Sequence, residues 1–150
     1  MKRFLAIIPF LSLINADLIQ PANYSALYHT YVQFEWEQIP TADRYQLMAS
    51  RNDDFTDVVV NVTDATLIYI DRDNIEWSTQ YYWHVRKNNL NGDLGTWSDV
   101  FTFTTAEQMS NVSTTISDET QLADGVTIFG SFFNYYSAVI DRNGNEIWNS

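Results

Sequence analysis

Two histidines, nineteen acids and no cysteine are what this sequence offers for chemistry. His84 falls on the outward parity of a strand, and His29 lies before the first clear strand. A general acid or base needs a positioned partner within hydrogen-bond reach. Neither histidine has one at a recognisable spacing, so both read as surface residues. Without cysteine, thiolate nucleophiles, cysteine zinc sites and disulfide staples are excluded. Carboxylate pairs for glycoside hydrolysis can be drawn from so many acids by chance, and none stands out.

Three oxygen-rich stretches are candidates for calcium: Asp53, Asp54 and Asp57; Asp71, Asp73, Asn74 and Glu76; and Asp141, Asn143 and Asn145. The first two lack the alternating ligands with glycine at the sixth place that a calcium loop uses. The third alternates, but Glu146 stands where the glycine belongs, and a hairpin turn accounts for it better. All three are expected to be solvated turns. No catalytic, cofactor-binding or metal residue is assigned. Asn23-Tyr-Ser25, Asn61-Val-Thr63 and Asn111-Val-Ser113 match the glycosylation sequon, which occurs easily in an Asn- and Thr-rich chain.

The N-terminus sets the compartment. Lys2 and Arg3 precede an apolar run from Phe4 to Ile14, and Asn15-Ala16 supplies a small residue before Asp17. This is the three-part pattern of a secretory signal peptide over residues 1–16. The run falls short of the roughly 20 residues that a membrane helix needs. Cleavage is expected after Ala16, giving a secreted protein (extracellular, cell-surface or periplasmic) with no membrane span. The formal charge of −11 is the wrong sign for binding phosphates, which excludes nucleic acid as a partner.

Elements that must position any site are short strands between polar turns. Val32, Phe34 and Trp36 alternate with Gln33, Glu35 and Glu37, the period-two pattern of a half-buried strand. Tyr45, Leu47 and Ala49 share an inward face over Arg44 to Ser50. Val58 to Val62 is β-branched, and Thr66 to Ile70 is a strand whose two faces both look apolar. Tyr81, Trp83 and Val85 point inward over Tyr81 to Arg86. Asn88 to Gly95 is a loop, and Phe101 and Phe103 point inward in the closing strand. About seven such strands predict an all-β sandwich, whose core must be stable by packing alone.

In order, Phe34-Glu-Trp36, Ala42-Asp-Arg-Tyr45, Asp54-Phe55, Ile75, Tyr82-Trp-His-Val-Arg86, Trp97-Ser98 and Phe101-Thr-Phe-Thr-Thr105 resemble a fibronectin type III-like domain of bacterial extracellular proteins. The resemblance covers residues 17–105 and implies a seven-stranded, immunoglobulin-like sandwich. It places Trp36 between the sheets and Tyr81 at the tyrosine corner, its hydroxyl bonded to backbone upstream. Trp77-Ser78 departs from the pattern, where a Pro-Gly-like turn is usual.

Residues 106–123 are polar and rich in Ser and Thr, and read as a linker. Beyond it, Asp124 to Gly130 and Ser137 to Trp148 look like strands, with Asn143-Gly144 turning a hairpin from about Tyr136 to Trp148. The string from Ala138 to Trp148 is similar to β-propeller blades of arylsulfotransferase-like proteins. A lone hairpin cannot bury its face and a propeller needs typically about 4–8 blades, so residues 124–150 read as the incomplete start of a further β domain. That family's catalytic residues would then lie beyond Ser150. The sequence is therefore expected to be a non-catalytic spacer or interaction module of a larger exported protein. The alternatives are an accessory domain of a sulfotransferase-like enzyme, or an adhesion module with a protein or polysaccharide partner. On the outer face Met48, Tyr82, His84 and Arg86 stand together, with Tyr82 a candidate contact.

Overall fold

A computed structural model describes residues 16–109, 119–121, 123–131 and 136–150. Residues 1–15 of the leader, most of the linker and the third sequon, at Asn111, lie outside the described residues. The chain from Leu18 to Thr105 forms β1 (Leu18–Gln20), β2 (Ser25–Leu27), β3 (Val32–Trp36), β4 (Tyr45–Ser50), β5 (Val58–Asp64), β6 (Ile68–Asp71), β7 (Gln80–Lys87) and β8 (Phe101–Thr105). One sheet has the order β1-β3-β6 and the other β2-β8-β7-β4-β5. Two sheets in this order, antiparallel apart from the β2–β8 edge, make a fibronectin type III-like sandwich.

The first strand is split, so eight segments stand where about seven strands are expected. β1 pairs antiparallel with β3, and β2 pairs parallel with β8 in the opposite sheet. Pro21 falls between them. Without an N–H it cannot continue a ladder, and the chain crosses to the other sheet there.

Alternation builds the core. Val32, Phe34, Trp36, Tyr45, Leu47, Tyr81, Trp83, Val85 and Phe103 are all buried between the sheets. Their rings meet edge-on or offset, as ring quadrupoles favour. Phe34 lies 5.3 Å from Trp83 and 6.0 Å from Phe103, and Trp36 lies 5.7 Å from Tyr45. The tyrosine corner forms: the Glu76 N–H donates to the Tyr81 hydroxyl at 2.9 Å. A second buried phenol, Tyr45, accepts from the Ile39 N–H at 3.2 Å. Each polar tip is thus satisfied inside an apolar layer. In β6 the ambiguous faces resolve. Tyr69 packs toward the core with Leu67 just before it, whereas Ile68 and Ile70 are exposed.

A third sheet comes next, ordered β11-β10-β9, from β9 (Thr127–Ser131), β10 (Tyr136–Ile140) and β11 (Glu146–Asn149), after a short 3₁₀ turn at Glu119–Gln121. Its hairpin closes through Asp141. Oδ1 accepts from the N–H groups of Asn143 and Asn145, both at 2.8 Å, and Oδ2 accepts from Asn145 Nδ2 at 2.9 Å. Gly144 sits at φ 88°, a region open to glycine but strained for other residues.

Candidate functional site: a seat and cleft between sandwich and hairpin

The acidic stretches are organised as turns. Asp71 is buried, and its carboxylate accepts from Asn74 N (2.8 Å), Asn74 Nδ2 (2.7 Å) and Asp73 N (3.3 Å). In the turn after β4, Asn52 Oδ1 accepts from the N–H groups of Thr56 and Asp57, and Asp54 Oδ1 accepts from Thr56. Among the described residues no three His, Asp or Glu are grouped to hold a metal. Of the sequons, Asn23 Oδ1 accepts from the Thr102 N–H, and exposed Asn61 accepts from Gln46 Nε2.

His84 requires a correction. It points out of the sandwich, as its parity predicts, but it is not a surface residue: only 8% is exposed. Phe55, from the turn after β4, and Trp97, from the loop before β8, cover its two faces at 3.8 Å each, nearly coplanar. Arg86 caps the stack 4.3 Å from the Trp97 ring centre and donates twice to Gln46 Oε1. The Nε2 of His84 is buried without a partner. Burial first, and the Arg86 charge second, push its pKa down from 6.5 to about 4. A neutral imidazole locked between two rings is packing. Tyr82, on the same face, is half-exposed and its hydroxyl accepts from Gln80.

His29 lies elsewhere, at a junction that the sequence does not announce. The backbone of Tyr28 to Thr30 forms a bridge with β11, pairing His29 with Trp148. Thr30 N donates to Ile147 O at 3.0 Å, and Asn149 N donates to Tyr28 O at 2.9 Å. The Trp77 indole N–H adds a bond to the Glu146 carbonyl at 2.9 Å. Behind these, Glu146 and Asn149 are buried together. Asn149 Nδ2 donates to Glu146 Oε1 (2.6 Å) and to Glu107 O (2.9 Å), and Met109 N donates to the same carboxylate at 2.9 Å. Burying a carboxylate is costly unless it is hydrogen-bonded; here backbone and amide donors satisfy it. The hairpin is thus seated on one end of the sandwich.

Beside the seat lies an open cleft of about 480 Å³ with one wall from each body. Tyr31, Arg72, Asp73 and Trp77 contribute from the sandwich, and Asp141 and Asn145 from the hairpin. The Arg72 guanidinium stands 5.8 Å above the Tyr31 ring centre. Burial, then the Asp141 carboxylate, raise the Tyr31 phenol above its ordinary pKa of 10.0. Two acids at or near the cleft are paired: Glu76 meets Arg51 at 3.0 Å, and Asp124 meets Arg142 at 3.4 Å. Sequence reasoning missed this cleft, since its two walls are far apart in the chain. The usable signal was Trp77, an aromatic where the family pattern has a Pro-Gly-like turn.

No protein-family profile matches the chain, and no curated protein does. Among solved structures, a Fn3-like protein from Clostridium thermocellum is similar at 16% identity and a TM-score of 0.46, covering 59% of this chain and 93% of that one. At that level the likeness adds nothing to the sandwich already read from strand order. Among the described residues no helix is long and apolar enough to cross a membrane.

Proposed function

We propose that this chain is an exported, non-catalytic spacer module that carries a further β domain on a fixed seat. The observation that supports it is the junction itself: the β-bridge at His29 and Trp148, the Trp77–Glu146 bond and the buried Glu146–Asn149 pair. A free tail would need none of these. Residues 17–105 are the supporting sandwich, residues 106–123 the linker, and residues 124–150 the start of the carried domain. Export rests on the leader at residues 1–16.

A second reading makes the module an accessory to an arylsulfotransferase-like propeller enzyme. What favours it is the run of consecutive antiparallel strands β9, β10 and β11, which carries the string from Ala138 to Trp148. In either case the sandwich positions the domain that it carries, and a protein or polysaccharide is its natural partner.

The chain has no cysteine, so two introduced ones can be spin-labelled uniquely. Ala65→Cys marks the turn between β5 and β6, at the end of the sandwich away from the seat, and Ile128→Cys marks β9, both at exposed positions. Pulsed electron-spin distance measurement should give one narrow distribution. A broad one would show a tethered but unseated tail and refute the spacer reading.

A further inference from the structure

We infer that the cleft beside the seat is a binding site for a neutral oligosaccharide, with Tyr31, Arg72 and Asp73 as its contacts. This rests on the seat proposed above, because the hairpin supplies one wall of the cleft. Its volume, about 480 Å³, lies within the range of small-ligand pockets.

The case is made by what the lining side chains already do. Glu76 is held by Arg51. Both oxygens of Asp141 close the hairpin turn, and the Trp77 N–H is bound to the Glu146 carbonyl. Tyr31, Arg72 and Asp73 differ: among the described residues their side-chain polar atoms make no hydrogen bond and no ion pair. The three complement one another. A guanidinium only donates, a carboxylate only accepts, and a phenol does both. Together they present donors and acceptors around one aromatic ring.

That set selects a ligand class. An anion meets the Arg72 charge but also the unpaired Asp73 and the nearby Asp141 carboxylate, in a chain of formal charge −11. A small cation meets the Arg72 charge in the lining. An apolar ligand would strand three hydrogen-bonding groups, each costly to desolvate unpaired. A neutral saccharide avoids these penalties: its hydroxyls donate and accept, and its C–H face can lie against the Tyr31 ring.

The test uses the full chain and follows the Trp77 indole N–H resonance, assigned with Trp77→Phe. The probes are cellotetraose, maltotetraose, laminaritetraose and chitotetraose. At least one should shift the resonance saturably, and Arg72→Ala and Tyr31→Ala should each weaken that binding tenfold or more without changing the melting curve. No saturable shift with any probe up to about 10 mM, the weak end of specific recognition, would overturn the inference. So would a shift that survives both substitutions, or binding of tetralysine in place of every sugar. A narrow spin-label distance with no sugar bound sinks the binding site alone. A broad distance sinks the seat, and the binding site with it.

Discussion

Acid should weaken this protein through His84, and the size of the effect is set by its surroundings. Two rings at 3.8 Å close its faces, and its Nε2 is buried with no acceptor. The folded state therefore resists the imidazolium, with a pKa near 4 against 6.5 unfolded. Because the unfolded chain takes up the proton first, stability is intact above pH 6.5. It declines as pH falls toward 4, and the loss is complete below that. The whole displacement is worth about 3.4 kcal/mol at about 1.36 kcal/mol per pH unit. Two effects reduce it: solvent at the sheet surface screens the charge, and the flanking ring faces attract a cation. A net loss of about 1–2 kcal/mol between pH 7.5 and 4 remains.

The control is His84→Phe, which preserves the stack, removes no hydrogen bond and cannot titrate. Urea unfolding of both proteins separates His84 from the many carboxylates, which they share. With a urea dependence of about 1–3 kcal/mol/M, the wild-type midpoint should fall by about 0.3–2 M more than that of the variant. The two should diverge between pH 6.5 and 4. Parallel declines would refute the reasoning, and so would a His84 ring resonance that titrates at or above 6.5.

Single contacts set the other expected outcomes. Trp36→Ala should cost about 3–5 kcal/mol, as large aromatic truncations in a packed core do. Tyr81→Phe should cost about 0.5–1.5 kcal/mol by leaving the Glu76 N–H without its acceptor; unchanged urea midpoints in both would contradict the sandwich placement. Ser78 sits at φ 55°, so Ser78→Gly should relieve left-handed strain and raise stability by about 0.5 kcal/mol after the entropy glycine adds to the unfolded chain; a lowered melting temperature counts against this. Mass spectrometry of exported protein should find Asp17 at the N-terminus, and a retained Met1 would end the export reading. In limited proteolysis the first cuts should fall between Ala106 and Asp124, and the seated tail should stay with the sandwich through a sizing column after the cut; a tail released at the first cut would count against the seat.

How much was legible depended on the range of the interaction. Parity along one strand is local, so the inward sets of β3, β4 and β7 were readable from alternation, and Tyr81 from its place in the family pattern. Parity also put His84 outside the sandwich. What it could not show is that Phe55 and Trp97 arrive from two separate loops to bury it, because a strand's pattern says nothing of what covers its outer face. β6 was ambiguous for the opposite reason: Ile68 and Ile70 are apolar yet exposed, so hydrophobicity alone did not choose a side. The seat is the most distant case, pairing Trp77 with Glu146 across 69 residues. Its trace in the sequence was a misfit, an indole where a tight turn is usual. A Pro-Gly pair there would close the turn without strain, yet would offer no side-chain donor to a neighbour. Trp77 supplies that donor, and the left-handed Ser78 beside it is the conformational cost. The expected exchange is measurable: Trp77→Phe keeps the ring, deletes the N–H and should cost about 0.5–1.5 kcal/mol. The same change at Trp36 or Trp83, whose Nε1 atoms are buried without partners, deletes no hydrogen bond. If Trp77→Phe were as silent in that respect as its two core counterparts, the departure from the pattern would be a neutral substitution, not the anchor of the seat.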